Sequence, residues 1–327
     1  RKNETPSKDG KKNSYAVHDK WRHSQSDALT LLRVIGAYSH AVETARTKHL
    51  TGTLKHKTAA IKRAATKFCT KHFLHERTLR EITLLRRQLR RLAQTVLSVS
   101  LPNTLKLRPP SPDQEQLLAQ VIAAGLLDRV AMLAPAGTFA MSEGAKDPIE
   151  EGDNEARRRA LRRLRTAYQS CVPTLRQSAL FIPPMSAVRE KEIKRLPQFV
   201  CYNAVLQSSS GDGVEAGTKA SSGGSAFVQM RGLTVVAPEW LASISAGTTL
   251  CEFPAPDAAS PPVYNASTDC VECVTRPRFG THRWELPLTT VPLARTTMGL
   301  EQECRWFLRY LLEGKIGAAA LFAELRP

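Results

Sequence analysis

Residues 196–208 read LPQFVCYNAVLQS and residues 225–241 read SAFVQMRGLTVVAPEWL. The first stretch carries Phe199, Val200, Tyr202 and Val205, and the second Phe227, Val228, Leu233, Val235 and Val236. Both are rich in β-branched and aromatic residues and are bounded by Pro, Ser and Gly, which predicts strands. The Pro-Glu-Trp-Leu segment at 238–241 predicts a turn that ends the second run. Between the two runs, residues 208–225 are mostly Ser and Gly, the composition of a long hairpin extension without order of its own.

Upstream, the periodicity changes from strand to helix. Ser26 stands where a cap is expected before an apolar stripe of Leu31, Val34, Ile35, Tyr38 and Val42. A second helix is predicted over 58–75, with Ile61, Ala65, Phe68 and Leu74 toward the core. In the third, Leu79, Ile82, Leu85, Leu89, Leu92, Val96 and Val99 follow steps of three and four, while Arg80, Arg86, Arg87, Arg90 and Arg91 fall off that stripe. LRPPSP at 107–112 marks a linker, and a short amphipathic helix over 113–127 follows it. Residues 167–172 and 175–182 are further strand candidates, and 300–316 form a helix with Leu300, Cys304, Phe307, Leu308 and Leu311 as its buried stripe.

The charge is unevenly placed. Residues 1–108 hold 24 Lys/Arg against 7 Asp/Glu, whereas residues 109–327 hold 23 of each, so the whole formal excess of +17 lies in the first third. Such a block suits a polyanion held through phosphate contacts; a solvated bundle with its cations outside is the alternative reading. A Gly-rich, acidic and then arginine-rich stretch near 136–160, ending in Arg162, Arg163 and Arg165, reads as an insertion: either a self-neutralising loop or an RNA contact. Residues 1–25 read as a disordered lead-in, in which Lys8, Lys11 and Lys12 form a short basic cluster. No apolar run approaches the about 20 residues of a membrane span, and seven scattered cysteines suit a reducing compartment better than a disulfide framework. Residue 1 is Arg, which predicts a piece of a longer chain.

The motifs resemble the C-terminal region of DEAH-box RNA helicases. The barrel pattern of that family is carried by Pro197, Tyr202, Phe227, Met230, Arg231, Pro238, Trp240 and Leu241. SDALTLLRVIGAY (26–38), FCTKHFL (68–74) and RTLREITLLRRQL (77–89) resemble its helical ratchet domain, and AAGLLDRVAML (123–133) the approach to the first barrel strand. The family's His-Pro-Ser-Ser is replaced here by Pro183-Pro184-Met185-Ser186, of which only Pro184 and Ser186 match. FGTHRWELP (279–287) and the helix with Trp306, Phe307, Arg309, Leu311, Leu312, Glu313 and Gly314 resemble the tail of the subfamily that acts in small-subunit ribosome biogenesis.

The expected fold is therefore α+β: a helical ratchet bundle at 26–108, an oligonucleotide-binding (OB) barrel at 109–249 with insertions near 136–160 and 208–225, and a small α/β extension at 250–327. The resemblance implies a nuclear, nucleolar ATP-dependent helicase that displaces a small nucleolar RNA from pre-rRNA. Its partners would be RNA, pre-ribosomal assembly proteins and a helicase activator, with no membrane. ATP and magnesium would bind ATPase lobes outside these residues, since no phosphate-cradling Gly-rich loop with Lys-Ser/Thr and no Asp-Glu-Ala-His occurs here. No catalytic residue and no metal site is expected. Cys270 and Cys273 make a single C-x-x-C, which lacks the second pair a structural zinc needs. Arg80, Arg87, Arg91, Lys62 and Lys67 in the helices, and Arg165 and Arg231 in the barrel, are expected on RNA. Trp284, Trp306 and Arg309 are expected to dock partners. Tyr202 and Phe227 are candidates either for base stacking or for the core, and His72 and His75 are expected at the surface. A splicing helicase of the same family, a non-enzymatic pre-rRNA-binding factor and a redox or zinc protein are the other readings open to the sequence.

Overall fold

The computed structural model describes residues 16–48, 53–100, 110–135, 137–139, 164–190, 192–208, 227–256 and 260–316. The Lys8–Lys11–Lys12 cluster, most of the insertion near 136–160 and the Ser/Gly stretch lie outside them. The protein is α+β and divides into two compact units, residues 1–117 and 118–327.

The first unit is helical, with α1 (Asp27–Lys48), α2 (Leu54–Lys71), α3 (Glu76–Leu97) and the first half of α4 (Pro112–Ala124). Ser26 caps α1 as its residue type predicts, its Oγ accepting from the Leu29 N–H at 3.2 Å. Ser111 and Gln114 cap α4 reciprocally: the Gln114 N–H donates to Ser111 Oγ at 3.3 Å, and the Ser111 N–H donates to Gln114 Oε1 at 3.0 Å. Arg33 holds Glu115, one of the two first-turn acids of α4, at 2.6 Å. The core is small: Tyr38, Ala65, Cys69 and Leu79, with Ile35, Val42, Phe68 and Leu74 packed on it.

Three expectations change here. The lead-in is shorter than 1–25, because Trp21 is buried against Phe68 and edge-on to His72, at ring separations of 6.1 and 5.0 Å. His72 is accordingly buried rather than on the surface. Its Nδ1 accepts from the Lys20 ammonium at 3.2 Å, while that ammonium lies 4.1 Å over the Trp21 ring. The third change concerns α3: Leu79 is buried, but Leu85, Leu89, Leu92, Val96 and Val99 are each at least half exposed. The core gathers around the first turn of α3, and a helix of 22 residues, about 33 Å long, extends past it.

Burial lowers the proton affinity of His72 below the ordinary histidine value of 6.5, helped by the nearby Lys20, Lys71 and His18 charges. The unfolded chain therefore takes up this proton first as pH falls. Stability of the helical unit is expected to be full above about pH 6.5 and to decline as pH drops through that value. Thermal unfolding between pH 7.5 and 5.5 measures the decline, which His72→Gln removes.

The second unit is built on a seven-stranded sheet in the order β5-β6-β3-β2-β1-β4-β7. Its strands are β1 (Val130–Leu133), β2 (Tyr168–Ser170), β3 (Leu180–Phe181), β4 (Phe199–Cys201), β5 (Ala204–Ser208), β6 (Phe227–Arg231) and β7 (Thr234–Val236). Neighbours pair antiparallel except β3 with β6. β4 runs into β5 through Tyr202 and Asn203 alone, yet β5 is one edge of the strand order and β4 stands next to the other edge, so the sheet curls on itself.

Both faces are buried, which explains why 199–202 reads as an unbroken apolar run. One face carries Ala131, Tyr168, Leu180, Val200, Tyr202, Met230 and Leu233. The other, with Val130, Phe199, Cys201 and Val236, packs on residues from 250 onward. The Leu196–Leu241 pattern is thus strand where expected, but Pro-Glu-Trp-Leu opens α5 (Pro238–Ile244) instead of forming a turn. Pro at the first helical positions favours that start. Residues 175–182 are strand only at Leu180–Phe181, since the 3-10 turn at Pro173–Leu175 runs on into a turn at 176–177 before the strand begins.

Beyond the sheet, β8 (Cys251–Glu252), β9 (Val263–Asn265), β10 (Cys270–Thr275), β11 (Arg278–Phe279), β12 (Trp284–Glu285) and β13 (Thr289–Pro292) form two three-stranded sheets, ordered β13-β10-β9 and β12-β11-β8. Helix α6 (Gly299–Leu312) follows. Its packed face is Trp306, Phe307 and Tyr310, while Leu300, Cys304 and Leu308 are exposed. Glu303 sets this rotation by accepting from the Val271 N–H at 3.3 Å and the Ala294 N–H at 2.7 Å. The aromatic rings, which bury more area, then face inward.

Candidate nucleic-acid interface

On α3, Arg80, Arg87 and Arg91 are exposed, at offsets of seven and eleven residues. At about 100° per residue these lie within about 40° of one another, on the side opposite Leu85, Leu89 and Val96. Arg80 is partly engaged, since its Nη2 meets Glu76 Oε1 at 3.0 Å. The first unit therefore presents Arg87 and Arg91 as the forward part of a basic face. Lys62 and Lys67 are exposed on α2, but their five-residue offset separates them by about 140°, with Lys62 beside the buried Ala65–Cys69 side and Lys67 on the opposite side of the helix.

In the second unit Arg231 ends β6 and is exposed, and Arg165 is exposed just ahead of β2. Tyr202 is excluded as a base-stacking platform. It is 2 % exposed, and its hydroxyl lies 2.6 Å from Ser170 Oγ inside the sheet. The Phe227 side chain lies outside the described residues. Ser186, from the divergent Pro-Pro-Met-Ser, closes a buried turn in which its Oγ accepts from the Val188 N–H at 3.2 Å.

Trp284 cannot dock a partner through its ring. It is 5 % exposed, stacked with His282 at 5.5 Å and edge-on to Phe199 at 5.9 Å. The whole FGTHRW segment is a latch onto β2 and the residue after it. Thr281 Oγ1 donates to the Cys171 carbonyl at 3.0 Å, and His282 Nε2–H donates to the Ser170 carbonyl at 3.0 Å. Burial, with Arg176 nearby, holds the His282 ring toward its neutral form, though the bond to Ser170 opposes this. Trp306, on α6, is half-buried, with the Arg309 guanidinium 5.0 Å over its ring. Arg309 also donates from Nε to Glu313 at 2.8 Å and is exposed.

Burial pushes Cys171 up to about 11 and Cys201 up to about 12, keeping both protonated. Cys270 and Cys273 stand three apart on β10, so their side chains leave opposite faces of the strand and cannot share one metal ion.

Sequence reasoning missed Arg129, which lies at the turn where Arg231 ends. It closes the 3-10 turn Leu127–Arg129, and its Nη1 donates to the Asn203 carbonyl at 2.5 Å. It stood within a phrase read only as the approach to a strand, and a single Arg beside Asp128 carries no signal in sequence.

These features define the class: a cationic α+β protein with an arginine face on a helical unit and exposed arginines at one turn of a curled sheet. No protein-family model matches the chain. Curated relatives do. It is 26 % identical over 291 residues to the probable ATP-dependent RNA helicase kurz of Drosophila melanogaster, an alignment covering 89 % of this chain and 20 % of the relative. It is 26 % identical over 248 residues to ATP-dependent RNA helicase DEAH13 of Arabidopsis thaliana, covering 69 % and 16 %. With the probable ATP-dependent RNA helicase DHX37 of Homo sapiens it shares 24 % over 250 residues, covering 76 % and 17 %. The chain is a homologue of part of the DEAH-box ATP-dependent RNA helicases, and it spans a fifth or less of the length of these relatives.

Proposed function

We propose that the chain is the C-terminal RNA-guiding and partner-docking region of a DEAH-box helicase that acts in small-subunit ribosome biogenesis in the nucleolus. In this reading the helical unit is the ratchet and the curled sheet the OB barrel. The parent hydrolyses ATP, with magnesium, in lobes outside these residues and displaces a small nucleolar RNA from pre-rRNA. The Arg87–Arg91 face of α3 follows the RNA strand, and the α6 surface around Trp306 and Arg309 receives assembly proteins or an activator.

The observation that carries the reading is the similarity to RNA helicases over 89 % of this chain, which takes in both units. The segregation of the whole +17 excess into residues 1–108 supports it, because a cationic surface of that kind releases counterions from a polyphosphate.

The test is binding of the chain to a short single-stranded RNA across a salt series. Affinity is expected to fall steeply with salt. Arg87→Glu with Arg91→Glu removes two phosphate contacts, and so flattens the slope of log K against log salt by about 1.4. Binding that ignores salt, or none at all, would turn the reading toward a protein-docking module with an acidic partner.

A further inference from the structure

We infer that Arg129 and Arg231 together form a phosphate clamp for the single-stranded RNA backbone at the β4–β5 turn, with Asn203 as the residue that sets their positions. The inference rests on the RNA-guiding reading above and adds to it a site in the second unit.

The two arginines are 102 positions apart in sequence: Arg231 ends β6 and Arg129 stands in the 3-10 turn just ahead of β1, which two strands separate from β6 in the order β6-β3-β2-β1. Only the curl brings them to one place. Asn203 is the meeting point: its N–H donates to the Arg231 carbonyl at 2.8 Å, and its carbonyl accepts from Arg129 Nη1 at 2.5 Å. Next to it, the Tyr202 N–H donates to the Arg129 carbonyl at 3.1 Å. Gly232 makes the close approach feasible. It adopts φ +64°, and a Cβ there would stand 3.1 Å from Asn203 Cβ. A side chain at 232 would push the end of β6, and Arg231 with it, away from the turn.

The bond to Asn203 orients the Arg129 guanidinium without exhausting it. Of five donors, one is spent on Asn203, and Nε faces Asp128 at 3.6 Å, too long for a strong bond. The remaining donors belong to an exposed side chain whose plane is already set, the condition under which arginine binds phosphate with least loss of rotamer freedom. Arg231 and Asn203 are also exposed. Tyr202, the aromatic next to Asn203, is turned into the core, so the turn offers a cation pair and an amide but no stacking platform from that residue. That chemistry recognises a sugar–phosphate backbone and not base identity.

The experiment uses the whole chain and a short fluorescein-labelled oligouridylate, with binding read by anisotropy over a salt series. Three variants are compared: Arg231→Ala, Arg129→Ala with Arg231→Ala, and Arg305→Ala on α6 as a control. Each lost phosphate contact is expected to flatten the salt slope by about 0.7, so the first two variants lose about 0.7 and about 1.4 and the control loses nothing. Arg231→Ala leaves both backbone bonds of Asn203 in place. Its effect is therefore on binding, and an unchanged thermal midpoint verifies that. Should Arg87→Glu with Arg91→Glu weaken binding while both clamp variants match wild type, the clamp is wrong and the RNA-guiding reading stands. If wild type fails to bind the RNA, both fall together. An equal loss in the Arg305 control would also overturn the clamp, by showing that net charge alone is read.

Discussion

Replacing Trp284 with alanine is expected to destabilise the sheet unit by about 3–5 kcal/mol, the usual cost of removing a buried tryptophan. The ring is 5 % exposed and belongs to the core shared by the curled sheet and the residues after 250. It stacks on His282 and Phe279, at 5.5 and 6.3 Å, and meets Phe199 of β4 edge-on at 5.9 Å. Its Nε1–H reaches Gln169 at 3.5 Å, a long contact that contributes little, so the loss is one of packing. Alanine would open a cavity between β4 and β11, and the Thr281 and His282 bonds to Cys171 and Ser170 would lose their backing. Urea unfolding followed by circular dichroism measures the shift. A loss below about 1 kcal/mol would show that the segment does not hold the two parts together and would return Trp284 to the docking role its sequence suggests.

Gly280→Ala is expected to cost about 2–4 kcal/mol through two separate effects. The residue has φ +70°, a left-handed conformation that any side chain makes costly. The added Cβ would also stand 3.0 Å from Cys171 Cβ on buried backbone that cannot easily retreat. The two effects separate in a double-mutant cycle. In a Cys171→Gly background the steric part disappears and the conformational part remains, so the same substitution should cost about 1–2 kcal/mol. An equal cost in both backgrounds would show that the contact with Cys171 does not matter. Trp284→Ala and Gly280→Ala act on one latch, and their effects should combine to less than their sum.

Much of the local structure was legible. Ser26 capped its helix, the run beginning at Phe199 formed a strand over Phe199–Cys201, and the three helical periodicities each produced a helix. Hydrophobic period and capping chemistry act over a few residues, and sequence shows them directly. The same signals misled wherever two faces of one element competed. On α6 the stripe of Leu300, Cys304, Phe307, Leu308 and Leu311 kept Phe307 inside, but Leu300, Cys304 and Leu308 are exposed and Trp306 and Tyr310 take the inner face, with Glu303 anchoring the helix. On α3 the apolar stripe was real, but no rule of periodicity says how far along a helix the core extends. His72 read as a surface residue because its neighbour Trp21 lay in a stretch taken for a tail.

By itself the sequence determined the helices of the first unit, the main strands of the curled sheet, the charge asymmetry and the resemblance to an RNA helicase region, because each depends on composition or short spacing. Only the tertiary structure decided what the surface offers. The curl of the sheet joined Arg129 to Arg231 through Asn203 across 102 positions, and it took Tyr202 and Trp284 into the interior. The physical reason is common to both outcomes. Strand order and curvature are set by pairings between distant segments, so which cations meet and which aromatics are buried follows from how the sheet closes, not from the residues beside them.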